Sequence, residues 1–484
     1  PQTGKTTLLR TFVTAFALTH TPTEAQFYCI DYGGGGLAAL AGLPHVGSVA
    51  SRLEPDKVRR LIAEVDGIMA RREELFREHS IDSVASLRAL RHAGGLPDEQ
   101  LADVFLVIDN WPALRRTFED LEEVVLDVAA RGLGYGIHVV ITVNRWLDLR
   151  GNLRDSLGGI LELRLADTGE SLVDRKIASN VPTGAPGRGL VREKLHFQTA
   201  VPRIDGKINI IDLQVGIEDL VARVASSWSG PTAPPVRLLP MTVDARQLPE
   251  PGTDHGRGVP VGLVETDLSP WYLDLTGSEP HFLVFGDGES GKTTFLRTFI
   301  TGLCARHSHQ QVRVAIIDYR RTLLETVEPD YLGFYAGAAP AATDAVAALR
   351  AALIKRLPGS DVTAAQLRAR NWWQGPDYYL VVDDYDLVAT ANNPLSRVLE
   401  FVAQGRDLGF HLILARRVAG AQRALFEPVL QQVKELGNPG LILSGDRGEG
   451  PLLGTSRATT FPPGRGLLIR RKEQPVRVQV AWTQ

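Results

Sequence analysis

The segment Gly286-Asp287-Gly288-Glu289-Ser290-Gly291-Lys292-Thr293-Thr294 sets glycines, a lysine and hydroxyl side chains in the order G-x-x-x-x-G-K-[ST]. Glycines let backbone N–H groups come close to an anion, and a helix starting at the lysine adds the partial positive charge of its N-terminus. A lysine at this spacing reaches the β- and γ-phosphates of ATP, and the first threonine hydroxyl can ligate Mg²⁺. Gly286, Asp287, Gly288, Glu289, Ser290, Gly291, Lys292, Thr293 and Thr294 are therefore candidates for nucleotide binding, with Thr293 also a metal ligand. The chain opens with Pro1-Gln2-Thr3-Gly4-Lys5-Thr6-Thr7, the second half of the same motif. It adds Gly4, Lys5, Thr6 and Thr7 as candidates, with Thr6 at the metal. The first strand and first P-loop glycine of this copy are expected to precede residue 1.

A P-loop needs an acid at the end of a neighbouring apolar strand to hold Mg²⁺ through water. Asp109 follows Val104-Phe105-Leu106-Val107-Ile108, and Asp383 follows Tyr378-Tyr379-Leu380-Val381-Val382. Many ring ATPases place a glutamate next, to polarise the attacking water; here those positions are Asn110 and Asp384. Asparagine cannot accept a proton, so Asn110 can only orient water and is a degenerate catalytic position. Asp384 is a carboxylate on a shorter arm, and roughly 1 Å of lost reach can cost on the order of 10²-fold in rate. Nucleotide binding in both halves with slow turnover is expected, the first half being the weaker.

A third strand ends near Thr142-Val143-Asn144-Arg145 in one half and Ala415-Arg416-Arg417 in the other. The equivalent residues Asn144 and Arg417 suit sensing of the γ-phosphate. Arg145, Arg188, Arg416 and Arg465 are open between a neighbouring subunit's phosphate and an ordinary ion-pair role. Asp31 and Asp318 end another pair of strands, which could line the site or merely flank it. His138 and His411 read as core or strand-end histidines, and Trp372-Trp373 as packing or an interface patch rather than a base-stacking platform.

These residues must be positioned twice, because the chain is an internal duplication. Thr7-Leu8-Leu9-Arg10-Thr11-Phe12 matches Thr294-Phe295-Leu296-Arg297-Thr298-Phe299, and Cys29-Ile30-Asp31-Tyr32 matches Ile316-Ile317-Asp318-Tyr319, both at the offset that separates Lys5 from Lys292. Further on, Gly136-Ile137-His138-Val139 matches Gly409-Phe410-His411-Leu412, and Pro186-Gly187-Arg188-Gly189-Leu190 matches Pro463-Gly464-Arg465-Gly466-Leu467. A repeat this long means two globular domains rather than a solenoid. In each half, apolar runs alternate with amphipathic stretches such as residues 55–79, the pattern of a parallel sheet covered on both faces. The fold class is α/β: two tandem RecA-like P-loop domains, each a mainly parallel sheet flanked by helices. Residues 1–228 form the first, 229–252 a proline-rich linker, and 253–484 the second. The linker carries Val236, Leu238, Leu239, Met241 and Val243, which are expected to dock against a domain.

Composition sets outer limits. The 484 residues suit two to three domains, and 44% hydrophobic with 23% charged residues is ordinary for a soluble globular protein. A net charge of −3 gives no bulk attraction to nucleic acid or an acidic membrane surface. Cys29 and Cys304 lie in apolar stretches and read as small core residues in a reducing cytosol. No apolar run of about 18 residues is present. Metal-ligand Cys/His spacing and a Ser/His/Asp arrangement are both missing from the sequence.

The Gly-Ile-His and Gly-Phe-His strand starts, followed by Asn-Arg and Arg-Arg, resemble the FtsK/SpoIIIE branch of ring-forming P-loop ATPases. Residues 29–47, Gly132-Leu133-Gly134-Tyr135-Gly136-Ile137-His138, Val201-Pro202-Arg203-Ile204-Asp205-Gly206 and Ser444-Gly445-Asp446 resemble the second and third ATPase modules of EccC. EccC is the motor family of the actinobacterial type VII (ESX) secretion system. The resemblance covers nearly the whole chain. It implies a cytoplasmic, ring-forming homo-oligomer, held at the inner or plasma membrane by membrane-embedded ESX components. It further implies binding of small helical-hairpin secreted substrates by their C-terminal tails, with ATP and Mg²⁺ as cofactors and no nucleic acid. Leu238 and Leu239 are then expected in a groove that substrate tails also use. An FtsK-like DNA translocase and a non-hydrolysing, nucleotide-stabilised cargo adaptor are the alternatives.

Overall fold

A computed structural model describes residues 2–94, 101–253 and 258–483. The chain divides into two compact units, Pro1–Leu238 and Leu239–Gln484, and the division falls inside the proline-rich segment 229–252. Among the described residues, no helix is long and apolar enough to cross a membrane.

The first unit is built on four parallel strands, β1 (Ala25–Asp31), β2 (Val46–Ser51), β3 (Asp103–Asp109) and β4 (Ile137–Ile141), in the order β2-β1-β3-β4. Every residue of β1 is buried, as a strand covered on both faces must be. Alternate side chains serve opposite cores. Phe27, Cys29, Phe105 and Val107 pack with Leu9 and Val13 of α1 (Lys5–Thr19). Tyr28, Ile30, Leu106 and Ile108 pack with Leu61 and Val65 of α2 (Pro55–Glu78) and with Val125 and Val128 of α3 (Leu121–Arg131). A last helix, α4 (Leu213–Ser227), adds Ile217 and Leu220 to the α1 side. The strands Leu161–Leu163, Arg188–Val191 and His196–Gln198 form a small antiparallel sheet. Between it and β4 is a cleft of about 940 Å³, lined by Leu8, Phe12, Val140, Ile141, Ile160 and Leu163 among others.

The second unit repeats this plan within a larger, eleven-stranded sheet. Its strands are β5 (Val259–Val264), β6 (Pro270–Leu273), β7 (His281–Phe285), β8 (Val312–Ile317), β9 (Leu332–Ala336), β10 (Asp377–Val382), β11 (Phe410–Arg416), β12 (Gly440–Leu443), β13 (Arg465–Ile469) and β14 (Val476–Trp482). They lie in the order β6-β5-β14-β13-β12-β7-β11-β10-β8-β9, and the short strand Val243–Asp244 pairs with β14. From β12 to β9 all pairs are parallel; β13, β14, β5 and β6 extend the sheet by antiparallel pairing. The strands β9-β8-β10-β11 correspond to β2-β1-β3-β4. Strand β7 fills the place between β11 and β12 that in the first unit is the cleft. One face packs on Phe295, Leu296, Phe299 and Ile300 of α5 (Lys292–Arg306), the other on Val346, Leu349 and Leu353 of α6 (Ala339–Ile354). Because β7, β8, β10 and β11 run the same way, their loops emerge at one edge of the sheet, where α/β proteins bind ligands.

Glycines from the repeated Pro-Gly-Arg-Gly segment hold the P-loop helices in place. Gly464 N–H donates to Ser290 O at 2.8 Å, and Gly187 N–H donates to Thr3 O at 2.8 Å. Gly291 caps α5 with φ 106°, and a Cβ there would stand 2.9 Å from Gly464 N. Gly4 caps α1 with φ 97°, and its Cβ would stand 2.8 Å from Gly187 N. At both points a Cβ on the P-loop glycine would meet main chain, so only glycine fits at positions 4 and 291.

Of the linker residues expected to dock, Leu239 and Val243 are buried and Val236 is partly buried. Leu238 is not: it is 44% exposed, as is Met241 at 61%. The tryptophans pack, as expected. Trp373 lies under the Arg356 guanidinium at 4.0 Å, and the indole N–H of Trp372 donates to Arg356 O at 2.7 Å. Both cysteines are free, and burial pushes the Cys29 thiol up to about 12.

Gly464 has φ 75°, and a Cβ there would stand 2.6 Å from the Gln479 amide nitrogen. Gly464→Ala is therefore expected to cost the second unit about 1–3 kcal/mol, read as a lowered urea midpoint. His281 is buried at the start of β7. Its Nε2–H donates to Val402 O at 2.7 Å while Nδ1 accepts from Leu412 N–H at 3.0 Å. Burial lowers its pKa to about 4. The unfolded chain, titrating near 6.5, binds more protons between these values, so stability falls as pH drops through that window, by at most about 3 kcal/mol. The urea midpoint of the wild type should fall from pH 7 to pH 4.5 more steeply than that of His281→Gln.

Candidate functional site

In the second unit the P-loop leaves β7 between two neighbours. Gly286 N–H donates to Arg416 O on β11 at 3.1 Å, and Asp287 N–H to Ser444 O just past β12 at 2.9 Å. A Cβ on Gly286 would stand 2.3 Å from Ser290 Oγ, and Glu289 takes φ 60°, so the loop is tightly wound. Gly288 meets nothing within 4 Å. Among the described residues, the N–H groups of Glu289, Gly291, Lys292 and Thr293 have no hydrogen-bond partner. The buried Ser290 hydroxyl has none either. Lys292 is 8% exposed and donates to Asp287 O at 3.1 Å. This ring of unsatisfied donors at the start of a fifteen-residue helix fits a phosphate chain. Thr294 and, in the first unit, Thr7 lie in the first turns of α5 and α1.

Thr293 Oγ1 donates to Asp383 Oδ2 at 2.6 Å, and Thr6 Oγ1 to Asp109 Oδ2 at 2.7 Å. The parallel register sets this contact, since β10 ends beside β8 and β11 at the edge where α5 begins. Burial holds the Asp383 carboxyl above the ordinary carboxylate range; the Thr293 hydrogen bond opposes this, and the Asp384 charge adds to it. Burial likewise lowers the Lys5 ammonium, with Asp109 pulling it back up. Among the described residues, no group of three or more His, Cys, Asp or Glu is arranged to hold a metal. One hydroxyl and one carboxylate per site suit magnesium, which keeps waters and takes substrate phosphates as its remaining ligands.

The candidate catalytic positions share a strained backbone. Asn110 has φ 68° and Asp384 φ 44°, left-handed values for non-glycine residues. Asn110 is tied inward: Nδ2 donates to Tyr32 O at 3.0 Å, and its N–H to Thr142 Oγ1 at 2.8 Å. Asp384 is 3.2 Å from the Arg320 guanidinium. Asp31 and Asp318 organise loops. Asp31 accepts N–H bonds from Gly33, Gly34, Gly35 and Leu37, and Asp318 accepts from Arg320 and Leu323 N–H and the Tyr335 hydroxyl.

The expected phosphate sensors sit further out. Asn144 is exposed on the loop after β4. Arg417 is half-exposed, its guanidinium 3.8 Å from Asp386. That loop is nonetheless tied to the P-loop, because Val418 and Ala419 N–H donate to Asp287 Oδ1 at 3.2 and 3.3 Å. Three of the four open arginines are engaged within their own unit. Arg145 pairs with Glu170, buried Arg416 donates to backbone carbonyls, and Arg465 donates to Leu239 O and Pro240 O at 2.9 and 2.8 Å.

Two features escaped the sequence reading. One is the clamp of Gly187 and Gly464 on the P-loops; the repeat exposed the motif but not its contact. The other is a buried arginine in each unit. Arg72 donates to Tyr135 O and Ala102 O at 2.6 Å, and Arg356 to Leu408 O and Pro376 O at 2.6 Å. Each fixes the loop that launches β4 or β11. An arginine within an amphipathic stretch reads as a surface residue unless the two repeats are aligned.

A family model described as the FtsK/SpoIIIE family matches residues 1–205 and 252–354. The ESX secretion system protein EccC of Thermomonospora curvata is 49% identical over 100% of this chain, a match that spans 37% of that protein. The chain thus covers little more than a third of this relative's length. The ESX-1 secretion system protein EccCb1 of Mycobacterium tuberculosis is 41% identical over 97% of this chain and 81% of its own length. The solved structure of T. curvata EccC ATPases 2 and 3 in complex with a signal sequence peptide aligns with a TM-score of 0.91, at 49% identity, over 100% of this chain and 87% of that one. With P-loop machinery in both units and these likenesses along its whole length, the chain belongs to the FtsK/SpoIIIE family of P-loop ATPases, in its EccC-type group from ESX secretion systems.

Proposed function

We propose that this chain is a pair of nucleotide-binding modules of an ESX secretion motor, which bind MgATP at both P-loops, turn it over slowly and receive the export signal of small secreted proteins. The observation that carries the reading is the duplicated contact of P-loop threonine with strand-end aspartate, at 2.6 and 2.7 Å. Gly4, Lys5, Thr6 and Thr7, and residues 286–294, would surround the phosphates; Thr6 with Asp109 and Thr293 with Asp383 would hold Mg²⁺. The bound ion would draw charge from the γ-phosphoryl oxygens during transfer to water. Lys292 already lies along the loop and needs only to exchange the Asp287 carbonyl for a phosphate oxygen. Asn144 and Arg417 are proposed to sense the γ-phosphate through the loops they occupy. Residues 1–228 and 253–484 are assigned as the two modules and 229–252 as their linker.

Turnover is proposed to be slow for different reasons in the two units. Asn110 holds no proton-accepting oxygen at the attacking water, whereas Asp384 is a carboxylate already engaged by a cation. A signal sequence peptide bound to the T. curvata homologue supports recognition of substrate C-terminal tails by this chain too. Assembly into a ring and attachment to membrane-embedded ESX components, with the modules on the cytoplasmic side, complete the reading. Asn110 favours one variant of it, in which nucleotide in the first unit serves structure and cargo binding alone.

Thermal unfolding of the full chain tests the nucleotide sites. MgATP at about 100 times its dissociation constant stabilises a binding unit by about 2.7 kcal/mol. A transition should move upward in the wild type, and Lys292→Ala should abolish the part that belongs to the second unit; a chain whose midpoints ignore MgATP would end the proposal. A labelled C-terminal tail peptide of a small helical-hairpin ESX substrate should bind the full chain and lose to the same peptide unlabelled but not to its scrambled form.

A further inference from the structure

The residue best placed to act as a base in the second unit is not free. Arg320 Nη1 stands 3.2 Å from Asp384 Oδ2; the arginine side chain is 55% exposed and the aspartate 11%. The turn that carries Arg320 is rigidly set. Asp318 accepts the N–H groups of Arg320 at 3.1 Å and Leu323 at 2.7 Å, and the Thr322 hydroxyl donates to Asp383 Oδ2 at 3.1 Å. Arg320 is thereby anchored at its backbone to Asp318, in a turn that Thr322 ties to the Asp383 carboxylate, while its guanidinium lies over Asp384.

The first unit makes a natural comparison within one chain. Aligning Asp31 with Asp318 puts Gly33 at the position of Arg320. Gly33 packs so closely that a Cβ would stand 2.0 Å from Asp109 Oδ2, leaving no room for a side chain. The catalytic position there is Asn110, which carries no charge. The unit that has a carboxylate has the arginine; the unit that has an amide has glycine.

We propose that Arg320 is a positioning residue that restrains Asp384, so that the second unit retains ATP with its base held off the attacking water. The inference rests on MgATP binding at that unit. Hydrolysis joins a water oxygen to the γ-phosphorus as the bond from that phosphorus to the β–γ bridging oxygen breaks. ADP leaves with that oxygen and its electron pair, and one water proton passes to an Asp384 oxygen and on to solvent. An oxygen that accepts the guanidinium hydrogen bond is neither directed at the water nor free to take its proton. The half-exposed guanidinium can be drawn away by another anion, which makes the pair a restraint rather than a permanent block.

The test uses the full chain at saturating MgATP, following phosphate release, with MgATP affinity measured separately. The pair is half-exposed, so Arg320→Gln should raise kcat about two- to fivefold with KM unchanged, equivalent to about 0.4–1 kcal/mol. Arg320→Lys, which keeps the charge, should stay near the wild-type rate. In an Asp384→Asn background, Arg320→Gln should give no gain. A fall in kcat on Arg320→Gln would overturn the proposal and place the guanidinium at the γ-phosphate, and a gain that survives Asp384→Asn would overturn it equally. Wild-type chain that binds MgATP but shows no gain in the variant removes only the restraint; wild-type chain that does not bind MgATP removes the nucleotide reading with it.

Discussion

The hydrogen bond from Thr293 Oγ1 to Asp383 Oδ2, 2.6 Å long, joins the first turn of a helix to the end of a strand nearly a hundred residues away. It can form only if β7 and β10 run parallel with β11 between them, so that both loops leave the same edge. Everything else at the site follows from that constraint. The loop after β8 reaches the same carboxylate through Thr322, the loop after β11 reaches the P-loop through Asp287, and Gly464 closes on the helix start from the antiparallel side. A charged residue as buried as Asp383 is costly without partners, and its raised proton affinity records that cost. A divalent cation placed between the hydroxyl and the carboxylate would relieve it. The duplicated bond between Thr6 and Asp109 marks the same constraint in the first unit.

Glycine's role here is to let backbones touch. A Cβ on Gly291 or Gly4 would collide with the main chain of Gly464 or Gly187, whereas a Cβ on Gly464 or Gly187, both at positive φ, would press on the Gln479 side chain or on those of Gln198 and Thr199. The following arginine carries the connection outward in the second unit, since Arg465 bonds the carbonyls of Leu239 and Pro240 at the start of that unit. The P-loop backbone, the Pro-Gly-Arg-Gly turn and the linker segment thus form one continuous run of hydrogen bonds. A change at the phosphate site has a physical path to the linker.

Much of this was legible in the residues. Phosphate chemistry fixes glycine, lysine and threonine at set spacings, so the P-loops and their partner aspartates stood out from order alone. Buried parallel strands announce themselves as unbroken apolar runs, and β1, β3, β8, β10 and β11 lie where those runs are. What could not be read was pairing at long range. The antiparallel wing of β5, β6, β13 and β14 joins segments about two hundred residues apart, and no local pattern encodes that register. Leu238 and Leu239 look alike in sequence, yet one is exposed and the other buried, because that choice belongs to the surface they meet. Arg320 and Asp384 are ordinary charged residues until the fold sets them 3.2 Å apart.

The threonine–aspartate pair is proposed as a magnesium site which depends on bound ATP. Equilibrium titration of ATP into the full chain, with Mg²⁺ and again in excess EDTA, measures it directly in the wild type and in Thr293→Ala. Mg²⁺ should tighten binding at the second unit by about tenfold or more, equivalent to about 1.4 kcal/mol, and Thr293→Ala should remove this increment while leaving metal-free binding intact. A Thr293→Ala chain that keeps the full magnesium increment would contradict it.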